Sequence, residues 1–203
     1  MTGKSTSSFF GATENDPSIT DIEPLRRICF TGVRGVGKST VLKDVIEGDI
    51  DMCFTSGSDI LQEMMGETYS QFEYLPEEEK YAYRLKIRDV LHKSQEQEKK
   101  DLLVDSHLTV YNLKTGEIDV IFTHRDYDFY TDIILLDASP ELILRHRKRD
   151  TKKERIADLN IIRKELDFER KMAKEISEEY GIRLHLIQMG EHATESLEII
   201  LNN

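Results

Sequence analysis

The sequence predicts an α/β fold in which a parallel sheet carries helices on both faces. Three observations point there. Short apolar runs alternate with longer helical patterns from residue 27 to the end of the chain, the order that builds a parallel sheet with crossover helices. A glycine-rich segment, residues 32–37, sits directly between the first apolar run and the first helical pattern. Sheets of this class receive their ligands at the carboxyl ends of the strands, and that segment lies at such an end. Finally, 203 residues suit one domain with a core of its own.

Taken in order, residues 1–25 are rich in Ser, Thr and Gly and lack an apolar period. They read as a disordered arm, with Phe9 and Phe10 its one apolar feature. Residues 26–203 read as a single domain. The run 27–31 is the first strand, 38–46 a helix, 51–54 a second strand and 59–65 a short helix. Pro76 opens a longer helix, on which Tyr83, Ile87, Val90 and Leu91 are expected on one face. Residues 102–104 form a buried-type strand that ends at Asp105. Lys114-Thr115-Gly116 is a turn signal between two short runs, which predicts a hairpin. Residues 132–136 are another strand. Ser139 caps a helix that starts at Pro140 and runs toward Arg149. A long helical pattern covers 156–180 and stops at Gly181. Residues 183–188 form the last strand and 191–201 the last helix.

Composition removes several classes of function. The formal net charge is −11, and an acidic surface repels long polyanions, so no long nucleic acid is expected as partner. No run approaches the roughly 18 apolar residues of a membrane span, and the first residues lack a signal-peptide core. The two cysteines, Cys29 and Cys53, make no disulfide framework and read as buried free thiols. A cytoplasmic address follows by elimination.

The segment Gly32-Val33-Arg34-Gly35-Val36-Gly37-Lys38-Ser39, followed by Thr40, satisfies G-x-x-x-x-G-K-[ST] in its strand-to-helix context. Glycines let backbone N–H groups curl around phosphate oxygens, and the helix dipole adds positive potential there. Residues 32–40 are therefore expected to bind the phosphates of a purine nucleoside triphosphate, ATP with Mg²⁺. Lys38 is expected on the β and γ phosphates and the Ser39 hydroxyl on Mg²⁺. Arg34 reads equally as a phosphate contact or a solvated loop side chain.

Two further features fit phosphoryl transfer. Asp105, at the end of an apolar strand, occupies a Walker B position, where a carboxylate holds Mg²⁺ through water or orients a reacting group. The segment 145–155 holds seven Lys or Arg against two acids, and arginines aimed at a transferring phosphoryl group stabilise its charge. Arg149, Arg155 and Lys153 are the candidates there. Arg145 and Lys148 fit a solvated helix end that is favoured by the dipole.

Together these residues resemble the archaeal-type adenylate kinases, a branch of the P-loop nucleoside monophosphate kinases. Beyond the phosphate loop, the resemblance rests on Val104-Asp105-Ser106-His107 with Leu108-Thr109, on Leu135-Leu136-Asp137-Ala138-Ser139-Pro140-Glu141, and on Arg149-Asp150. Arg163 and Arg170 also fall where that family carries arginines. The resemblance spans about residues 27–187. It implies a P-loop NTPase three-layer sandwich with a five-stranded parallel core, an acceptor-binding helical region at about 57–95 and a short basic lid at about 149–157. It implies transfer of the ATP γ-phosphoryl group to a small-molecule phosphate acceptor such as a nucleoside monophosphate. The sequence departs from the family on the acceptor side. Glu73 stands where the family has an arginine that grips the monophosphate, and residues 113–130, with His124, Arg125, Asp126 and Asp128, replace a glycine- and proline-rich stretch. Arg84 and Arg88, one helical turn apart, are candidates to replace the missing cation, and His107 and His124 are candidate acceptor contacts.

Two other functions stay open. A P-loop kinase of a hydroxyl-bearing metabolite needs a carboxylate beside the acceptor, and Asp59 or Asp105 would serve. A nucleotide-dependent switch with slow hydrolysis would use the same loop and contact a partner through the arm or the hairpin. The absence of an Asn-Lys-x-Asp string speaks against a guanine reader.

Overall fold

A computed structural model of the chain describes residues 24–48, 50–151 and 155–203. The expected arm with Phe9 and Phe10, up to residue 23, lies outside the described residues, as do Lys152, Lys153 and Glu154 of the expected lid.

Five parallel strands form the main sheet: β1 (Arg27–Thr31), β2 (Cys53–Ser56), β3 (Leu102–Asp105), β6 (Asp132–Asp137) and β7 (Arg183–Gln188), in the order β2-β3-β1-β6-β7. Successive side chains of a strand point to opposite faces. Ile28 and Phe30 of β1, Leu103 of β3 and Ile134 and Leu136 of β6 therefore enter one core. Cys29, Leu102, Val104, Ile133 and Leu135 enter the other. The first core is closed by α1 (Lys38–Glu47), α5 (Pro140–Arg149), α7 (Ala193–Leu201) and the first half of α6 (Leu159–Tyr180). The second is closed by α2 (Gly57–Met65), α3 (Glu77–Glu98) and the second half of α6. β4 (Thr109–Tyr111) and β5 (Ile118–Val120) form the expected antiparallel hairpin, and a one-turn helix α4 (His124–Tyr127) follows.

The caps set the boundaries. The Ser139 hydroxyl accepts from the Leu142 amide with Pro140 in the first turn of α5. The Asp158 carboxylate accepts from the Asn160 and Ile161 amides, so α6 begins three residues later than its apolar pattern suggests. Gly181, in the left-handed region, ends it. The second strand is shifted toward Ser56, whose hydroxyl caps α2. On α3 the inward stripe is rotated from the expected one. Val90 is 40% exposed, whereas Lys80, Arg88, Leu91 and Gln95 are buried. Cys29 is buried as expected, but Cys53, on the edge strand, is only half-buried. Among the described residues, no helix is long and apolar enough to cross a membrane.

Strand order reverses beside β1: β2 lies outside β3, while β6 and β7 lie on the other flank. Ligands of open α/β sheets bind at such a switch point. Phe30 of β1 is level with Asp105 of β3, so the loop after β1 and the carboxylate that ends β3 meet there.

Candidate functional site

The glycine-rich loop leaves β1 and enters α1 through backbone conformations that only glycine adopts without strain. Gly32 has φ 149°, and a Cβ there would stand 2.5 Å from the Leu136 carbonyl oxygen. Gly37 has φ 117° and caps α1 in the left-handed region. The amides of Gly35, Gly37, Lys38 and Ser39 donate to no protein group among the described residues. They line the positive end of the α1 dipole, where an anion is favoured.

Lys38 is 6% exposed. Its ammonium donates to the Gly32 carbonyl at 3.2 Å and stands 3.5 Å from the Asp105 carboxylate and 3.3 Å from His107 Nδ1. Burial pulls its pKa down, and the charges of Asp105 and Glu169 oppose that shift. His107 Nδ1 lies 2.8 Å from the Gly32 carbonyl oxygen, an acceptor, so Nδ1 carries the proton. Burial, then the charges of Lys38 and Arg34, hold its pKa well below the usual histidine range, so the ring is neutral. It braces the loop from below.

Glu169 of α6, which the sequence pattern did not single out, underlies this assembly. It is 1% exposed. Its carboxyl group accepts from Thr31 Oγ1 at 2.5 Å, from the Leu108 amide at 3.3 Å and from Thr109 Oγ1. The Leu108 amide also donates to Thr31 Oγ1 at 3.1 Å. Glu169 thereby ties the end of β1 to the segment that carries Asp105 and His107.

An open hollow of about 420 Å³ lies beside α1 at the β2 edge. Ser39, Asp59 and Asp105 are among its polar lining, and Leu42, Ile46 and Phe54 supply an apolar side. Ser39 and Asp105 give hard oxygen donors of the kind Mg²⁺ prefers, and that ion keeps most of its shell as water and phosphate oxygen. Among the described residues no group of three or more His, Cys, Asp or Glu side chains is arranged to hold a metal. An ion bound here would complete its shell with solvent and nucleotide. The glycine cradle, the buried ammonium and this donor set fit a magnesium-bound triphosphate.

The remaining candidates are distributed unevenly. Arg34 pairs with Glu73, in the region expected on the acceptor side, at 3.1 Å. Arg88, a candidate substitute for the acceptor cation, is buried, pairs with Asp126 and lies over the Phe129 ring, 3.7 Å from its centre. Asp126 in turn accepts from the Thr123 amide and hydroxyl, so this arginine holds α4 to α3. Arg84 sits among Glu77, Asp119 and Glu73, with the Glu77 carboxylate at 3.7 Å. His124 meets the Tyr81 hydroxyl at 2.6 Å. Arg149 is exposed at the end of α5, and Arg155 bonds Asp150 at 3.0 Å across the base of the basic segment. Arg170 grips Asp137 with two bonds of 2.9 Å, and Arg163 meets Glu141 at 3.3 Å. Arg145 and Lys148 are exposed.

Fold and site together define a P-loop protein with the architecture of the small P-loop kinases. Residues 31–163 match the protein family described as "AAA domain", and the chain belongs to that family. No curated protein sequence matches the chain. Among solved structures, a shikimate kinase from Bacteroides thetaiotaomicron is similar, with a TM-score of 0.51 and 15% identity over 87% of this chain and 97% of that one. A gluconokinase from Sinorhizobium meliloti 1021 has a TM-score of 0.53 at 12% identity, covering 87% and 91%. A sugar kinase from Janibacter sp. HTCC2649 has a TM-score of 0.56 at 13% identity, covering 88% and 94%. At these identities the likeness is one of fold. It supports the P-loop kinase architecture, and not the adenylate kinase branch in particular.

Proposed function

We propose that the chain is an ATP-dependent small-molecule kinase, with the acceptor held on the β2 side of the phosphate loop. The observation that carries this reading is the buried Lys38 ammonium inside the glycine cradle, 3.5 Å from Asp105, with Asp59 on the same hollow. Free loop amides and Lys38 hold the β and γ phosphates. Ser39 and Asp105 would hold Mg²⁺, which would neutralise charge on the phosphate oxygens. Arg149 and Arg155 are the candidate cations of the basic segment to meet that charge.

The acceptor side favours a hydroxyl. Asp59 and Asp105 face the hollow, Glu73 occupies Arg34, and Arg88 is committed to Asp126. In this reaction the acceptor oxygen bonds to the γ phosphorus as the bond to the β–γ bridging oxygen breaks. ADP leaves, and the hydroxyl proton passes to the Asp59 or Asp105 carboxylate. The similar solved structures, named as shikimate, glucono- and sugar kinases, agree with such an acceptor.

A nucleoside monophosphate, or similar phosphate acceptor, is the second reading. It is favoured by the adenylate kinase motifs of the donor side and by Arg84, whose side chain is 19% exposed and whose one ion pair among the described residues is at 3.7 Å. That chemistry needs alignment and no base. A screen of ATP with nucleoside monophosphates, polyols and hydroxy acids, followed by ADP release, separates the two readings. Asp59→Asn abolishes transfer with retained ATP binding where Asp59 is the base; unchanged turnover removes Asp59 and leaves Asp105 in that role. ATP binding without acceptor-dependent ADP release would favour a switch and sink both.

A further inference from the structure

A trans peptide unit points its C=O and N–H in opposite directions. A donor that fixes a loop carbonyl on the outside therefore fixes the next residue's N–H on the inside. Each carbonyl from Gly32 to Gly35 accepts at least one hydrogen bond, those of Arg34 and Gly35 from side chains of α5. His107 Nδ1–H serves Gly32 at 2.8 Å, and the Val36 amide serves Val33 at 3.1 Å. Arg147 Nε–H serves Arg34 at 2.9 Å, and His146 Nδ1–H serves Gly35 at 2.9 Å. The last turn of α5 thus grips two consecutive loop carbonyls. The Arg34 carbonyl shares its peptide unit with the Gly35 N–H, one of the amides without a protein partner among the described residues.

Arg147 is 5% exposed. Its Nη1 donates to the Ile156 carbonyl at 3.0 Å and to the Glu165 carboxylate at 2.8 Å. One guanidinium therefore fixes the phosphate loop and the chain just past Arg155, where the basic segment rejoins the body. Its aliphatic stem lies against Gly35: a Cβ on that glycine would stand 3.0 Å from Arg147 Cγ. Arginine suits the task because its fork donates in several fixed directions at once, which an ammonium cannot do.

We infer that Arg147 is a positioning residue for phosphate binding, holding the Arg34–Gly35 peptide unit so that the Gly35 N–H faces the bound phosphates and tying that unit to the segment at Ile156. It acts through the loop and does not touch the nucleotide. The inference rests on the loop being a triphosphate site.

Arg147→Lys keeps a cation opposite Glu165 but loses the Nε–H. Calorimetry with MgATP reads both affinity and binding-competent fraction. The expected result is a Kd raised about tenfold or more, the size of one charge-assisted hydrogen bond, at an unchanged stoichiometry. A merely structural role lowers the competent fraction and leaves the Kd of that fraction unaltered, and a Kd within twofold of wild type overturns the inference. If the lysine variant does not fold, Arg147→Met with Glu165→Gln removes the pair together and is judged by the same criterion. Independently of any variant, the Gly35 amide resonance of the wild-type protein shifts on saturation with MgATP. A resonance that stays in place while MgATP binds overturns the inference alone, whereas wild-type protein that binds no MgATP removes the nucleotide reading as well.

Discussion

Replacing Glu169 by alanine tests how the site is carried by the fold. The side chain is 1% exposed and its carboxyl group accepts from three donors, Thr31 Oγ1, Thr109 Oγ1 and the Leu108 amide. Alanine leaves at least two of them buried without that partner, since the Leu108 amide keeps Thr31 Oγ1 at 3.1 Å. Each stranded buried donor costs about 1–3 kcal/mol, so the loss should be about 2–6 kcal/mol. That is a large share of the roughly 5–15 kcal/mol of a whole domain. At this chain length it lowers the thermal midpoint by about 4–24 °C. Glu169→Gln keeps one acceptor oxygen and a shape close to the original, so its cost should be about 1–2 kcal/mol. Urea unfolding followed by far-ultraviolet circular dichroism measures both. An alanine variant within 1 kcal/mol of wild type, or a glutamine variant as weak as alanine, would refute the assignment of Glu169 as the brace beneath the site.

Three other outcomes follow from the same geometry. Lys38→Met removes an ammonium that burial penalises; the thermal midpoint should stay within about 4 °C while acceptor-dependent ADP release falls at least about 10²-fold, and normal turnover would contradict the role of Lys38. Arg88→Met strands the buried Asp126 carboxylate and should cost about 3–5 kcal/mol with MgATP affinity unchanged; a stable variant with a raised acceptor KM would instead make Arg88 an acceptor ligand. His107 has a folded-state pKa well below its usual value. Below about pH 6.5 the unfolded chain therefore takes up a proton that the folded chain refuses. Stability should fall with pH there by up to about 1.4 kcal/mol per unit relative to His107→Asn, and parallel pH profiles for the two proteins would refute it.

The phosphate loop was legible because its signal is local: eight consecutive residues carry the turn, the dipole and the ammonium. The strands were legible because their apolar runs end at glycine, aspartate or serine. What the sequence hid depends on partners distant in the chain. Arg88 looked like an acceptor cation, yet its fate is decided by Asp126, 38 residues away, and by the Phe129 ring. The charge pattern of the basic run 145–155 does not distinguish the member that turns inward where α5 packs on the loop. One signal was present, since Arg147 follows the buried Ile143 by four residues on the same face. Glu165 and Glu169 gave a similar sign, as carboxylates inside the stripe of Ile162, Leu166, Ala173 and Ile176. Acids on the apolar face of a helix point to buried donors. Val90 was misplaced because the buried face of α3 carries Arg88 and Gln95, whose partners are Asp126 and the carbonyls of Arg26 and Lys100.

Titration of well-folded wild-type protein with MgATP in a calorimeter tests the central claim most directly. A single saturable site is predicted, with adenosine alone binding far more weakly because the loop amides and Lys38 grip phosphate. Absence of any heat with magnesium-bound nucleoside triphosphates would contradict the account at its root.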